Sequence, residues 1–80
     1  MNDYLMRIYE IAGRAHGRYG DYTSTHEALG VISEEWDELR AAIHANDIPA
    51  VRAEALDIAA ACYRLAMACD EPYMLARSTK

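Results

Sequence analysis

Five acidic residues stand where they could act together: Glu34, Glu35 and Glu38 in one segment, Glu54 and Asp57 in the next. Glu35 precedes Glu38, and Glu54 precedes Asp57, by three residues, so on a helix each pair shares a face. Most carboxylates on helices belong to solvated surface. On a helical wheel, however, Glu54 and Asp57 fall in the middle of an apolar arc made by Val51, Ile58, Ala61, Leu65 and Cys69. Glu35 lies within the apolar sector between Val31 and Leu39, and Glu38 lies at its edge. Two ionised carboxylates about 5 Å apart repel by roughly 3 kcal/mol at an effective dielectric of 20. Six such pairs exceed what a marginally stable domain absorbs. Protons or a cation must neutralise the group. A donor set made only of oxygen favours a hard ion, Mg²⁺ or Mn²⁺, with Ca²⁺ as a substitute.

The elements that must hold these acids read as helices throughout, with no alternating strand pattern. A first helix is expected over 3–15, with Leu5, Ile8, Ile11 (or Ala12) and Ala15 at three- and four-residue spacing. Gly13, Gly17 and Gly20 weaken its continuation, so 17–23 reads as a loop. A second helix, over 25–45, opens on Ser24 and Glu27, which fit a capping box. Its apolar stripe is Leu29, Ile32, Trp36, Leu39 and Ile43. Asn46-Asp47 forms a tight connection, with Asp47 capping a third helix over 48–69 and Pro49 in its first turn. The segment 73–80 is a tail. One domain, 1–80, is expected: all-α, an antiparallel hairpin plus an N-terminal helix.

The hairpin brings the acids level. Counted from the turn, Glu38 and Glu54 lie roughly 11–13 Å along their helices, and Glu35 and Asp57 about 16–17 Å. Glu38 therefore faces Glu54, and Glu35 faces Asp57, one turn further on. The third helix carries a second apolar face, Leu56, Ala60, Tyr63 and Met67, nearly opposite the first. One face suits the second helix; the other is expected to need a partner such as a second subunit. The bundle would then be completed by oligomerisation.

Composition narrows the classes. With 80 residues and 52% hydrophobic content, the chain has more apolar surface than a small monomer easily buries. The formal charge is −5, and the one lysine is Lys80, a poor match to nucleic acid or anionic membranes. Cys62 and Cys69, seven apart on one helix, are separated by roughly 10 Å, too far for a disulfide. They read as small hydrophobes in a reducing compartment, and Cys-X₆-Cys alone is weak as a zinc signature. Neither a signal peptide nor a membrane span is legible, so a cytoplasmic protein is expected.

The run Glu34-Glu35-Trp36-Asp37-Glu38, followed by Glu54-Ala55-Leu56-Asp57, resembles the Glu-Glu-X-X-Glu … Glu-X-X-Asp signature of the MazG-like all-α nucleoside triphosphate pyrophosphohydrolases. His26 to Ser33 also looks like short bacterial and phage members, and the resemblance spans about 24–68. It implies a Mg²⁺-dependent enzyme that splits a nucleoside triphosphate into monophosphate and pyrophosphate, assembled as a homodimer or homotetramer. It implies metal ligation by Glu35, Glu38, Glu54 and Asp57. It also implies that Glu34 positions or deprotonates the attacking water, with Glu34, Glu35 and Glu38 as the catalytic acids. A di-iron bundle is disfavoured, because neither acid pair carries Glu-X-X-His.

Other residues have two readings each. Arg64 is a candidate phosphate-binding residue, alongside Arg14, Arg18, Arg77 and Lys80. Trp36 suits core packing first and base stacking second. Tyr19 and Tyr22 divide evenly between loop packing and nucleotide contact. His26 suits a hydrogen bond in the helix's first turn better than ligation, while His16 and His44 read as surface residues. The competing function is a non-catalytic helical oligomer that binds a nucleotide or metal, or regulates.

Overall fold

The computed structural model describes residues 3–77. Four helices follow in order: α1 Asp3–Tyr19, α2 Thr25–His44, α3 Ile48–Ala68 and α4 Pro72–Leu75. The described residues contain no strand, so the chain is all-α. α2 and α3 form the hairpin, and α1 packs on α3. α3 is therefore the central helix. No helix among the described residues is long and apolar enough to cross a membrane.

Local chemistry sets the helix ends. Ser24 Oγ accepts from the Glu27 amide at 3.1 Å. The reciprocal half of the box is displaced by one residue: Glu27 accepts from the Thr23 amide and hydroxyl, not from Ser24. Asn46 takes φ 55°, the left-handed value that turns the chain after α2. Asp47 Oδ1 then accepts from the Ala50 amide at 3.2 Å and caps α3, with Pro49 in the first turn. Replacing Asp47 by Ala is expected to lower stability by about 1 kcal/mol, read as a shift in the urea midpoint at unchanged slope.

Three expectations change. α1 runs to Tyr19, through Gly13 and Gly17, instead of ending near Ala15. Each glycine costs a helix about 1 kcal/mol relative to alanine, but contacts with α3 hold the helix on both sides of them. Buried Ala12 and the edge-to-face pair Tyr9–Tyr63, with centroids 5.4 Å apart, mark that contact. The helix stops at Gly20, whose φ of 74° suits a residue without Cβ. Second, the far face of α3 is met in part by α1 of its own chain, at Tyr63, while Met67 on the same face stays exposed. Third, part of the tail is structured: α4 folds back and buries Met74 against Tyr22, Ala28 and Ala68. Residues 78–80, the rest of that tail, lie outside the described residues.

The core is made mostly of small side chains. Ala12, Ala28, Ala42, Ala60, Ala61 and Ala68 are buried, with Tyr22 and Met74 the only larger members among the described residues. Alanines let α2 and α3 approach closely, and that brings their acids into reach of one another. On α2 the inward face runs through Ala28, Val31, Glu35 and Ala42, not through Leu29, Trp36 and Ile43, which stay about half exposed.

Candidate metal and substrate site

Glu35, Glu38 and Glu54 each offer a carboxylate oxygen within 4.8 Å of the other two. α2 supplies the first two, one turn apart, and α3 supplies the third from across the hairpin. Glu35 and Glu54 are half-buried and Glu38 is exposed, so the group sits at the edge of the helix interface. Oε2 of Glu35 and Oε2 of Glu54 are buried without a hydrogen-bond partner. A desolvated carboxylate oxygen with nothing to accept from costs free energy. Three carboxylates with oxygens within 4.8 Å of one another, two of the three also carrying a buried oxygen without a partner, are a donor set that a hard divalent cation could bridge.

Electrostatics agree with crowding. Burial first, then the charges of Glu38, Asp57, Glu54 and Glu34, raise the Glu35 pKa. Glu54 is raised by burial, then by a side-chain hydrogen bond with Glu38 and by the charges of Glu38 and Asp57. Asp57 is raised by burial and by Glu38, while Arg14 pulls it back. Asp57 is thus an electrostatic neighbour but lies outside the close triad. Among the described residues no cation lowers Glu35 or Glu54 in the way Arg14 partly does Asp57.

Beside the triad opens a cavity of about 640 Å³, walled by Glu34, Glu35 and Asp57 together with Tyr19, Tyr22 and Arg64. Ile11 and Ala15 line it from α1, two residues outside the site expected from the acidic motif. Their spacing with Arg14 was the available signal. Ligand cavities span roughly 300–1,000 Å³, so the volume suits a nucleotide-sized molecule.

The other candidates divide. Arg64 lies on the cavity wall, but its guanidinium already donates to Gly20 O at 3.0 Å and to the Tyr22 hydroxyl at 3.3 Å. It also stacks on the Tyr22 ring, 4.4 Å from the centroid. Tyr22 is buried, a core residue that presents an edge to the cavity. Its carbonyl accepts from the Tyr73 hydroxyl, and Arg77 donates to Thr23 O at 2.7 Å, so the tail fixes the loop holding Arg64. Tyr19 is the more accessible ring. Trp36 and His26 do not line this cavity: His26 belongs to a separate groove with Cys69, Leu75 and Arg77. Arg18 lies over the Tyr19 ring, 5.8 Å from its centroid.

What the arrangement can do follows from its donors. It places three carboxylates within reach of one another across two helices, and one of them, Glu35, also lines a cavity with one guanidinium and an accessible aromatic ring. Comparison of the chain with protein-family models, with curated proteins and with solved structures returned no match.

Proposed function

We propose that this chain is a Mg²⁺-dependent nucleoside triphosphate pyrophosphohydrolase of MazG-like type, acting in the cytoplasm as a homo-oligomer. The observation that carries the reading is the Glu35–Glu38–Glu54 triad, in which Glu35 and Glu54 each have a buried unpartnered oxygen and Glu35 also lines a nucleotide-sized cavity. The motif resemblance supports the choice of reaction.

Glu35, Glu38 and Glu54 would hold Mg²⁺ or Mn²⁺, with Asp57 adding negative charge from the next turn of α3. When bound, the ion would offset charge on the phosphate oxygens and lower the pKa of a coordinated water. The remaining work belongs to side chains. Glu34, exposed on the cavity wall, accepts the proton of the attacking water at its carboxylate. Arg64 faces the phosphate charge, and Tyr19 offers a ring to the base. Water breaks the anhydride between the α- and β-phosphates, giving NMP or dNMP and pyrophosphate.

A second reading, a non-catalytic nucleotide- or metal-binding oligomer of the same fold, is favoured by one observation. Arg64 is the single basic side chain among the residues lining the cavity, and it is already engaged by Gly20 and Tyr22. A panel of ribo- and deoxyribonucleoside triphosphates, incubated with Mg²⁺ or EDTA, separates the two. Metal-dependent release of monophosphate and pyrophosphate together supports the hydrolase. Binding without product, from folded protein with Mg²⁺ or Mn²⁺, supports the binder.

A further inference from the structure

We infer that Arg7 and Arg14 of α1, with Arg52 of α3, form a site for a condensed phosphate group, separate from the acidic triad. Binding there needs neither metal nor turnover, so it goes beyond the proposed function and stands or falls apart from it.

The arginines of the chain divide into two sets. Arg18 lies over the Tyr19 ring, Arg40 pairs with Asp37, Arg64 is held by Gly20 and Tyr22, and Arg77 donates to Thr23 O. Arg7, Arg14 and Arg52 make no ion pair and no hydrogen bond among the described residues. Arg14 acts on Asp57 only through space. The three guanidiniums without a partner are also the three that line one cavity, of about 370 Å³, between α1 and α3. Side chains left over by chance would scatter across the surface instead of sharing a wall.

Local structure accounts for the grouping. Arg7 and Arg14 are two turns apart on α1, so they project from one side of it, separated by about 10 Å along the axis. Ile11, between them on that side, lines the same cavity. α3 packs alongside and contributes Arg52 early in the helix, after Pro49 at its start. The N-terminal end of this 21-residue helix adds partial positive charge on the Pro49 side.

Charge and size select the occupant. Glu10 and Asp57 also line the cavity, so its wall is positive on balance in a chain of net charge −5. A singly charged anion would match one guanidinium and leave the others uncompensated. A diphosphate or triphosphate group brings several charges and a row of oxygens, which planar guanidinium forks bind bidentately. The volume lies within the roughly 300–1,000 Å³ of small-molecule sites, and the net negative chain repels a long polyanion such as nucleic acid. Ile11 and Asp57 line both this cavity and the one beside the triad, so the two adjoin. The phosphates can therefore be free pyrophosphate or the tail of a nucleotide.

The probe is sodium pyrophosphate, titrated into wild-type protein in EDTA at low ionic strength by isothermal titration calorimetry, with citrate and ATP run in parallel. The expected result is one pyrophosphate per chain, bound more tightly than citrate and weakened by added salt. Arg7→Gln and Arg52→Gln should each weaken binding about tenfold, the loss of one charge-assisted contact, while Arg40→Gln should leave it unchanged. ATP binding more tightly than pyrophosphate, and weakened by the same two variants, makes a nucleotide tail the source. Equal or weaker ATP binding makes it free condensed phosphate. No binding of pyrophosphate at millimolar concentration overturns the inference. So does binding that Arg7→Gln and Arg52→Gln leave intact, binding that Arg40→Gln weakens as much, or citrate held as tightly as pyrophosphate. Arg7 and Arg52 are exposed, so both variants should fold. Should either fail by far-UV circular dichroism, the rise in wild-type melting temperature with pyrophosphate, set against citrate, decides.

Discussion

Glu54→Gln should abolish metal-dependent turnover while leaving the metal-free protein at least as stable as the wild type. The two effects have one origin. Glu54 is the only member of the triad that α3 contributes, so the amide removes the charge that ties the two helices to one ion. A neutral amide oxygen is a weaker ligand for a hard cation than a carboxylate. The expected loss in kcat/KM is on the order of a hundredfold or more. In the absence of metal the sign reverses. The three acidic oxygens lie within 4.8 Å of one another; such a pair costs roughly 3 kcal/mol at an effective dielectric of 20, brought nearer 1 by solvent screening. Removing one charge returns about that much, a rise in melting temperature of about 4–8 °C for a domain of this size. Paired measurements on one preparation, kinetics with Mg²⁺ and thermal unfolding in EDTA, check both. Unchanged turnover would sink the site assignment. Lost turnover with a collapsed fold would make Glu54 a structural residue.

Much of this arrangement was legible in the pattern of residues, and the failures have identifiable causes. Capping signals at Ser24 and Asp47 placed the hairpin ends, because a side-chain oxygen there meets an amide that has no other partner. Rise per residue from a short turn then put Glu38 opposite Glu54, and those two carboxyls do interact. Asp57 was expected in the same set but is one turn removed from the triad. The apolar stripe of α2 misled for a simple reason. A helical wheel shows where large hydrophobes cluster, not which neighbour is available, and α3 selects the small side chains Ala28 and Ala42 for close approach. The stripe of Leu29, Trp36 and Ile43 therefore predicts a core face, whereas these side chains stay about half exposed. The contacts of the tail were out of reach altogether. Tyr73 with Tyr22, and Arg77 with Thr23, join residues more than fifty apart through single polar atoms, which leave no periodic trace.

The second large effect is an opposite response to pH with and without metal. In EDTA the protein should gain stability as pH falls from neutral into the window just above the ordinary carboxylate values. Glu35, Glu54 and Asp57 all have pKa values raised above the ordinary 4.5, 4.5 and 3.8, first by burial and then by their acidic neighbours. In the unfolded chain they titrate near those ordinary values. Between the ordinary and the raised values, the folded state binds more protons than the unfolded one, so stability falls as pH rises through that window. Above it all three are ionised in both states, and the full repulsion is felt. Saturating Mg²⁺ inverts the trend, because the ion needs the ionised carboxylates and competes with protons for them. At a hundred times its dissociation constant, a ligand specific for the folded state adds about 2.7 kcal/mol, or about 10–20 °C in melting temperature here. That increment should be largest above the raised pKa values and shrink as pH falls through them. Thermal unfolding by circular dichroism at four pH values, at one protein concentration, with Mg²⁺ or EDTA, gives the two curves. Glu54→Gln should flatten both, since it removes a group that titrates in the window and a ligand that binds the ion. Parallel curves, with metal adding nothing at any pH, would leave the acids as a cluster tolerated at the helix interface and would remove the basis for a metal centre.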